Sequence, residues 1–180
     1  MKAIVQERYG SPDLELREIH RPHVRDDEML VRVRAASVHA DVWHAANGVP
    51  YVLRIMGSGL RAPKHHVPGT DLAGQVESVG RNVTRFRPGD EVFGQTLTAN
   101  LWRNGGAYAD YAAAPEARLE LKPANLTFEQ AAAVPTSGSL AVQAVRDEGR
   151  IRPGQRVLIN GAGGAVGTFA VQLAKRTKRT

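Results

Sequence analysis

Arg156-Val157-Leu158-Ile159-Asn160-Gly161-Ala162-Gly163-Gly164-Ala165-Val166-Gly167 is the stretch on which the reading of this chain turns. Val157, Leu158 and Ile159 form an unbroken apolar run, as in a parallel strand covered on both faces. The glycines after them predict a turn. Val166, Phe169, Ala170 and Leu173 then recur at i, i+3, i+4 and i+7, one face of a helix. A strand, a glycine turn and a helix N-terminus together make an anion site. Backbone N–H groups point outward, and the helix dipole adds about half a positive charge. A turn without side chains lets a pyrophosphate approach the backbone. The spacing is G-x-x-G-x-x-G, through Gly161, Gly164 and Gly167, because Val166 stands five positions after Gly161. Gly161, Gly164, Ala165, Val166 and Gly167 are the candidate cofactor-binding residues.

Upstream, Thr127-Phe128-Glu129-Gln130 is a capping box, with Thr127 as N-cap and Gln130 at the third helical position. A further helix is predicted from about Ser139 to Glu148, ended by Gly149. Before Pro123 the pattern is that of short strands. Val31, Val33 and Ala35 alternate with Arg32 and Arg34, the period of a half-buried strand. Lys2–Gln6, Leu14–Ile19, Leu72–Val79, Glu91–Phe93, Ala107–Ala112 and Leu119–Leu121 continue the series. Gly10-Ser11-Pro12-Asp13, Pro68-Gly69, Arg87-Pro88-Gly89-Asp90 and Asn104-Gly105-Gly106 punctuate it. The expected organisation is a β domain over 1–123 and a separate αβ part over 124–180, a mixed α/β fold.

The 180 residues are 42% hydrophobic and 23% charged, which excludes a disordered chain. The net charge of +6 is concentrated at the end. Lys175, Arg176, Lys178 and Arg179 fall in the last six residues, and without them 20 basic residues face 18 acidic ones. Six residues with four cations and no aromatic side chain offer only a short nonspecific contact, so specific nucleic-acid binding is not expected. Zero cysteines exclude disulfides, thiolate catalysis and cysteine-ligated zinc. No apolar run reaches the ~18 residues of a membrane span, and the opening residues do not form a signal peptide. The expected compartment is cytoplasmic.

Asn160–Gly167 resembles the nucleotide-binding turn of the medium-chain dehydrogenase/reductase superfamily, and is most similar to its zinc-independent, quinone oxidoreductase-like branch. Val67-Pro68-Gly69-Thr70-Asp71-Leu72-Ala73-Gly74 resembles the Pro-Gly-x-Asp-x-x-Gly signature of that branch. Phe86-Arg87-Pro88-Gly89-Asp90-Glu91-Val92 resembles its glycine-aspartate-valine turn. Pro123–Ala132 resembles the entry into its cofactor domain. These motifs run in family order over nearly the whole chain. The resemblance implies a GroES-like β-barrel catalytic domain, followed by the first βα unit of an incomplete Rossmann domain. It implies hydride transfer from a nicotinamide cofactor, NADP(H) in preference to NAD(H), to a small-molecule substrate, and a chain that is often homodimeric.

The departures from the family pattern bear on mechanism. Zinc-bearing members draw ligands from a cysteine and from a Gly-His-Glu motif. Here the cysteine position falls at about His39, and Gly69-Thr70-Asp71 places Thr70 at the histidine position. One imidazole does not hold zinc, so no metal site is expected. Without a Lewis acid a plain carbonyl is poorly polarised, and a quinone or conjugated enone accepts hydride more readily. His39, Asp41 and His44 are the catalytic candidates, because His39 replaces an asparagine near the nicotinamide, Asp41 matches a recurrent aspartate, and His44 lies where related enzymes carry a proton-relay histidine. Each also has a bland reading: Asp41 capping a helix that begins near Val42, His44 packing half-buried. Leu140 stands where the family often carries a threonine. The chain stops thirteen residues after Gly167, before the position that selects the ribose 2′ group. A truncated chain without turnover is therefore expected, the alternative being a non-catalytic GroES-like binding or assembly module.

Overall fold

A computed structural model describes residues 1–10, 14–52, 54–97 and 105–177. The elements run β1 (Lys2–Gln6), β2 (Leu14–Glu18), β3 (Glu28–Ala36), α1 (Ala40–Asn47), β4 (Asp71–Val79), β5 (Glu91–Gln95), β6 (Tyr111–Pro115), β7 (Leu119–Leu121), α2 (Phe128–Ala132), α3 (Pro135–Val142) and α4 (Ala165–Thr177). Single π-helical turns at Arg54–Ser58 and Gln143–Glu148, and a 3₁₀ turn at Glu116–Arg118, complete the list. The expected turn at 10–13 falls partly outside the described residues, as do Asn104 and the basic positions Lys178 and Arg179.

Residues Met1–Ala132 form one compact unit and Ala133–Thr180 a second. In the first, β6-β3-β4-β5-β7 make a five-stranded sheet in which every neighbouring pair is antiparallel. β1 pairs with β2, and Ala3 bridges to Ala109. The alternation of Arg32 and Arg34 with Val31, Val33 and Ala35 appears as expected, with both arginines exposed. Leu30 and Val31 are both buried, because a register shift between them re-aims one side chain. Met29, Val31, Leu72, Val76, Val92 and Leu119 lie at the centre of the sheet's core. The strand expected at 107–112 is displaced to Tyr111–Pro115, while Ala107 is buried in the core.

The capping box forms as the sequence predicts. Thr127 N–H donates to Gln130 Oε1 at 3.0 Å, and Gln130 N–H to Thr127 Oγ1 at 3.2 Å. Ala131 and Ala132 pack on Ala73, with Phe93 and Phe128 alongside. Burial of this helix against the sheet ties 124–132 to the first compact unit.

In the second unit the helix expected from Ser139 begins at Pro135, whose missing N–H costs nothing in a first turn. Gly149 has φ −70°, and the left-handed residue is Arg150, at φ 43°. The helix face read from the sequence is used: Ala170 is buried against Ala141 and Val145, with Val166, Phe169 and Leu173 beside it. The strand expected at 156–160 is a correction. Residues 155–159 have no regular secondary structure and pair with no strand among the described residues, and Leu158 is 96% exposed. A strand is defined by its ladder, and an apolar run supplies no partner by itself.

Candidate functional site

β3 and β4 run antiparallel with Ala36 opposite Leu72. The residues just after β3 and just before β4 therefore meet at one end of the sheet. Ser37 N–H donates to Asp71 O there, at 3.3 Å. Two residues later the chain enters α1 with His39 as N-cap. The His39 side chain makes no capping bond, because it turns to the sheet instead. Its Nε2 lies 2.8 Å from Thr70 Oγ1 and 3.6 Å from Asp71 Oδ1. Thr70 Oγ1 donates to Asp71 Oδ1 at 3.1 Å. On the other side of the ring, Nδ1 faces Asp41 Oδ2 at 3.7 Å, beyond hydrogen-bond range. The Asp71 side chain is 1% exposed and that of Asp41 26%.

Asp41 lies in the first turn of α1, not at its cap, since the helix begins at Ala40 rather than near Val42. A carboxylate there complements the helix dipole. His44 is half-buried in the same helix, with Nδ1 3.0 Å from Val49 O and its ring edge-on to Trp43. His39 and Asp41 are thus brought together, and His44 hydrogen-bonds within its own helix-and-turn segment.

Asp71 and Tyr108 belong to this cluster and were not singled out from the sequence. Tyr108 Oη donates to Ser37 O at 2.9 Å. Gly69, at φ 85°, lets the Tyr108 ring lie where a Cβ would be 2.3 Å from its Cδ1. Burial, then the charge of Asp71, push the Tyr108 phenol up to about 12. The signal for Asp71 was present: a carboxylate in the apolar start of a strand is buried, and a buried charge needs partners.

Pairing with Asp71 holds the His39 imidazole above its usual 6.5, against burial, with the charges of Asp71 and Asp41 adding to the rise. Folding therefore favours the protonated ring. That contribution to stability is complete below about pH 6.5 and is lost as pH rises through the higher folded-state value. The melting-temperature advantage of the native chain over His39→Gln is expected to be largest below pH 6.5 and to shrink above it. Melting curves at stepped pH check this, and a constant difference would refute it.

In the second unit, Gly161 turns the chain at φ 72° and its carbonyl accepts from Gly164 N–H at 3.0 Å. Residues 161–165 are exposed. A Cβ on Gly163 would meet nothing within 4 Å, and one on Gly164 only Gly161 O at 3.4 Å. The outer face of the turn is therefore open backbone at a helix N-terminus, which fits a pyrophosphate. Val166 and Gly167 are turned inward, half-buried and buried respectively. Leu140 is 43% exposed, and the neighbouring Ser139 hydroxyl donates back to Pro135 O and Thr136 O within its own helix.

A β sheet with a buried His–Thr–Asp cluster at one end, and a separate unit with a glycine turn, define a two-part α/β architecture. Residues 25–124 match the alcohol dehydrogenase GroES-like domain, and the chain belongs to that family, in the quinone oxidoreductase-like branch of the medium-chain dehydrogenase/reductase superfamily. It is 34% identical over 180 residues to 2-methylene-furan-3-one reductase of Solanum lycopersicum, covering 97% of this chain and 44% of that protein. It is 36% identical over 184 residues to the chloroplastic NADPH-dependent alkenal/one oxidoreductase of Arabidopsis thaliana, again covering 97% and 44%. The solved structure of the quinone oxidoreductase from Coxiella burnetii superposes with a TM-score of 0.86 at 33% identity, over 99% of this chain and 54% of that one. The chain spans about half the length of the relatives it matches.

Proposed function

We propose that this chain carries the β domain and the opening of the nucleotide-binding unit of a zinc-independent reductase, which transfers hydride from NADP(H), in preference to NAD(H), to a quinone or conjugated enone. The observation that carries this reading is the 2.8 Å contact between His39 Nε2 and Thr70 Oγ1. These two positions are where the resemblance puts zinc ligands in metal-bearing members. Here they bond to each other, and the carboxylates of Asp71 and Asp41 lie on opposite sides of the ring. Zinc needs ligands converging on one point, which this arrangement does not provide. The relatives named above as acting on an alkenal or enone with NADPH, or on quinones, support the substrate class and the cofactor.

Bound nicotinamide would supply the hydride. Backbone N–H groups at Ala165 and Val166, in the first turn of α4, would hold its pyrophosphate, while the Gly164 N–H closes the turn onto Gly161 O. At the sheet end, hydrogen-bond donors and a protonated imidazole favour negative charge as it develops on the substrate.

The reading is tested by joining residues 1–177 to the uncovered half of the Coxiella burnetii enzyme and following NADPH oxidation with a naphthoquinone and an alkenone. Turnover dependent on the acceptor is expected. A folded chimera that oxidises no NADPH with either acceptor would overturn the reading. The dialysed chain is expected to hold no stoichiometric zinc by elemental analysis, and about one zinc per chain would overturn the zinc-independent reading.

A further inference from the structure

Among the described residues only two buried side-chain polar atoms have no hydrogen-bond partner, His39 Nδ1 and Thr96 Oγ1. The Thr96 backbone N–H donates to Thr70 O at 2.8 Å. The hydrogen-bond chain fixes which nitrogen of His39 carries the proton. Thr70 has one hydroxyl hydrogen, and it is given to Asp71 Oδ1. Thr70 Oγ1 must then accept from His39, so Nε2 carries N–H in the neutral ring as well as in the charged one. Nδ1 is left as the nitrogen that gains and loses the proton. Its lone pair faces a carboxylate, Asp41 Oδ2, at 3.7 Å, an arrangement that repels when Nδ1 is bare and attracts when it is protonated.

We infer that His39 is the proton-exchanging group of the site, protonating on Nδ1 and passing that proton through Asp41, while Thr70 and Asp71 act as positioning residues that lock Nε2–H. Nδ1 is buried, and the Asp41 side chain is a quarter exposed, so Asp41 is the group through which the proton reaches the outside. The charged and titratable groups facing the relay are Asp41 from α1 and Asp71 from the start of β4. Tyr108, the nearest phenol to Asp71, stays neutral until about 12.

The inference rests on the reductase reading for its use. Hydride addition to an enone or quinone forms one C–H bond and leaves an electron pair on oxygen as an enolate or quinol anion. One proton completes the reaction. It leaves Nδ1 for the Asp41 carboxylate, whose Oδ2 must first close from 3.7 Å to hydrogen-bond distance, and is delivered from there to the anion. Nδ1 is left with its lone pair, and water restores the proton by the same route.

The experiment is ¹⁵N NMR of the 180-residue chain labelled at its six histidines, with His39 assigned by the signal lost in His39→Gln. The expected result is an Nε2 shift of N–H type at every pH and an Nδ1 shift that changes from bare to protonated as pH falls. Asp41→Asn is expected to lower that midpoint measurably, since it removes an opposite charge beside Nδ1. Thr70→Val and Asp71→Asn are expected to populate the Nδ1–H tautomer of the neutral ring. An Nδ1–H tautomer in the native chain, or a midpoint indifferent to Asp41→Asn, overturns the relay. Asp41 is partly exposed, so that variant keeps the test valid if Asp71→Asn does not fold. Failure of the reductase reading would appear in the chimera's turnover and leave these spectra as they are.

Discussion

Gly167→Val is expected to unfold the second unit, whereas Gly164→Val is expected to fold normally and lose only ligand binding. The two glycines look equivalent in the motif and differ in the fold. A Cβ at Gly167 would lie 2.1 Å from Gly161 O and 2.7 Å from Ala162 Cα. Both are backbone atoms of the turn itself, so no side chain can swing aside. Relief requires moving either the turn or the first turn of α4, which carries Val166 and Ala170 into the Ala141–Val145 cluster. Overpacking against fixed atoms costs up to about 3 kcal/mol, and a unit of this size has little stability to spare. Hydrogen exchange of the α4 amides is expected to collapse to unprotected rates. A Cβ at Gly164 meets only Gly161 O, at an ordinary 3.4 Å, and projects from the exposed turn. In the chimera described above, Gly164→Val should weaken NADPH binding at least about tenfold, which is ~1.4 kcal/mol. Protected α4 amides in Gly167→Val, or undiminished affinity in Gly164→Val, would show that the motif has been divided wrongly between packing and binding.

What could be read from the sequence was local, and what could not was the pairing of distant segments. The Thr127–Gln130 capping box is contained in four residues, and both of its bonds form. The face of Val166, Phe169, Ala170 and Leu173 depends on one helix period, and it packs as expected. His39 and Thr70 were picked out by resemblance as two separate departures from a metal site. Nothing in their spacing, 31 residues apart, says that they touch. Their contact follows from the register that sets Ala36 opposite Leu72, and register depends on packing of the whole sheet. The same dependence explains the missing strand. Val157, Leu158 and Ile159 have the composition of a central strand, but a ladder needs neighbours, and none lies among the described residues. Ala131 and Ala132 bury against Ala73 and so belong to the first compact unit, a contact that composition alone does not reveal.

A polypeptide of residues 1–180 by itself is expected to reduce neither quinones nor enones at a rate near that of the chimera. Residues 155–159 have backbone groups unpaired by any strand among the described residues. Leu158 is 96% exposed and Val157 36%. Each large apolar side chain left in water forgoes about 1.5–3 kcal/mol, a sizeable share of a small unit's net stability. The same unit carries a groove lined by Val142, Val145, Arg146, Ile151, Leu173 and Thr177. The glycine turn would offer its N–H groups to a pyrophosphate, but a dinucleotide is bound across a crevice between strands, and residues 155–159 pair with no strand among the described residues. A nicotinamide held by its phosphates alone would be poorly oriented toward an acceptor. Misplacement by about 1 Å costs roughly 10²-fold in rate, and loose tethering costs more. NADPH oxidation by residues 1–180, measured on monodisperse protein with the same two acceptors, is therefore expected at least about 10²-fold below the chimera. Equal rates would mean that the turn and the His39 cluster suffice to orient the cofactor without the remaining sheet.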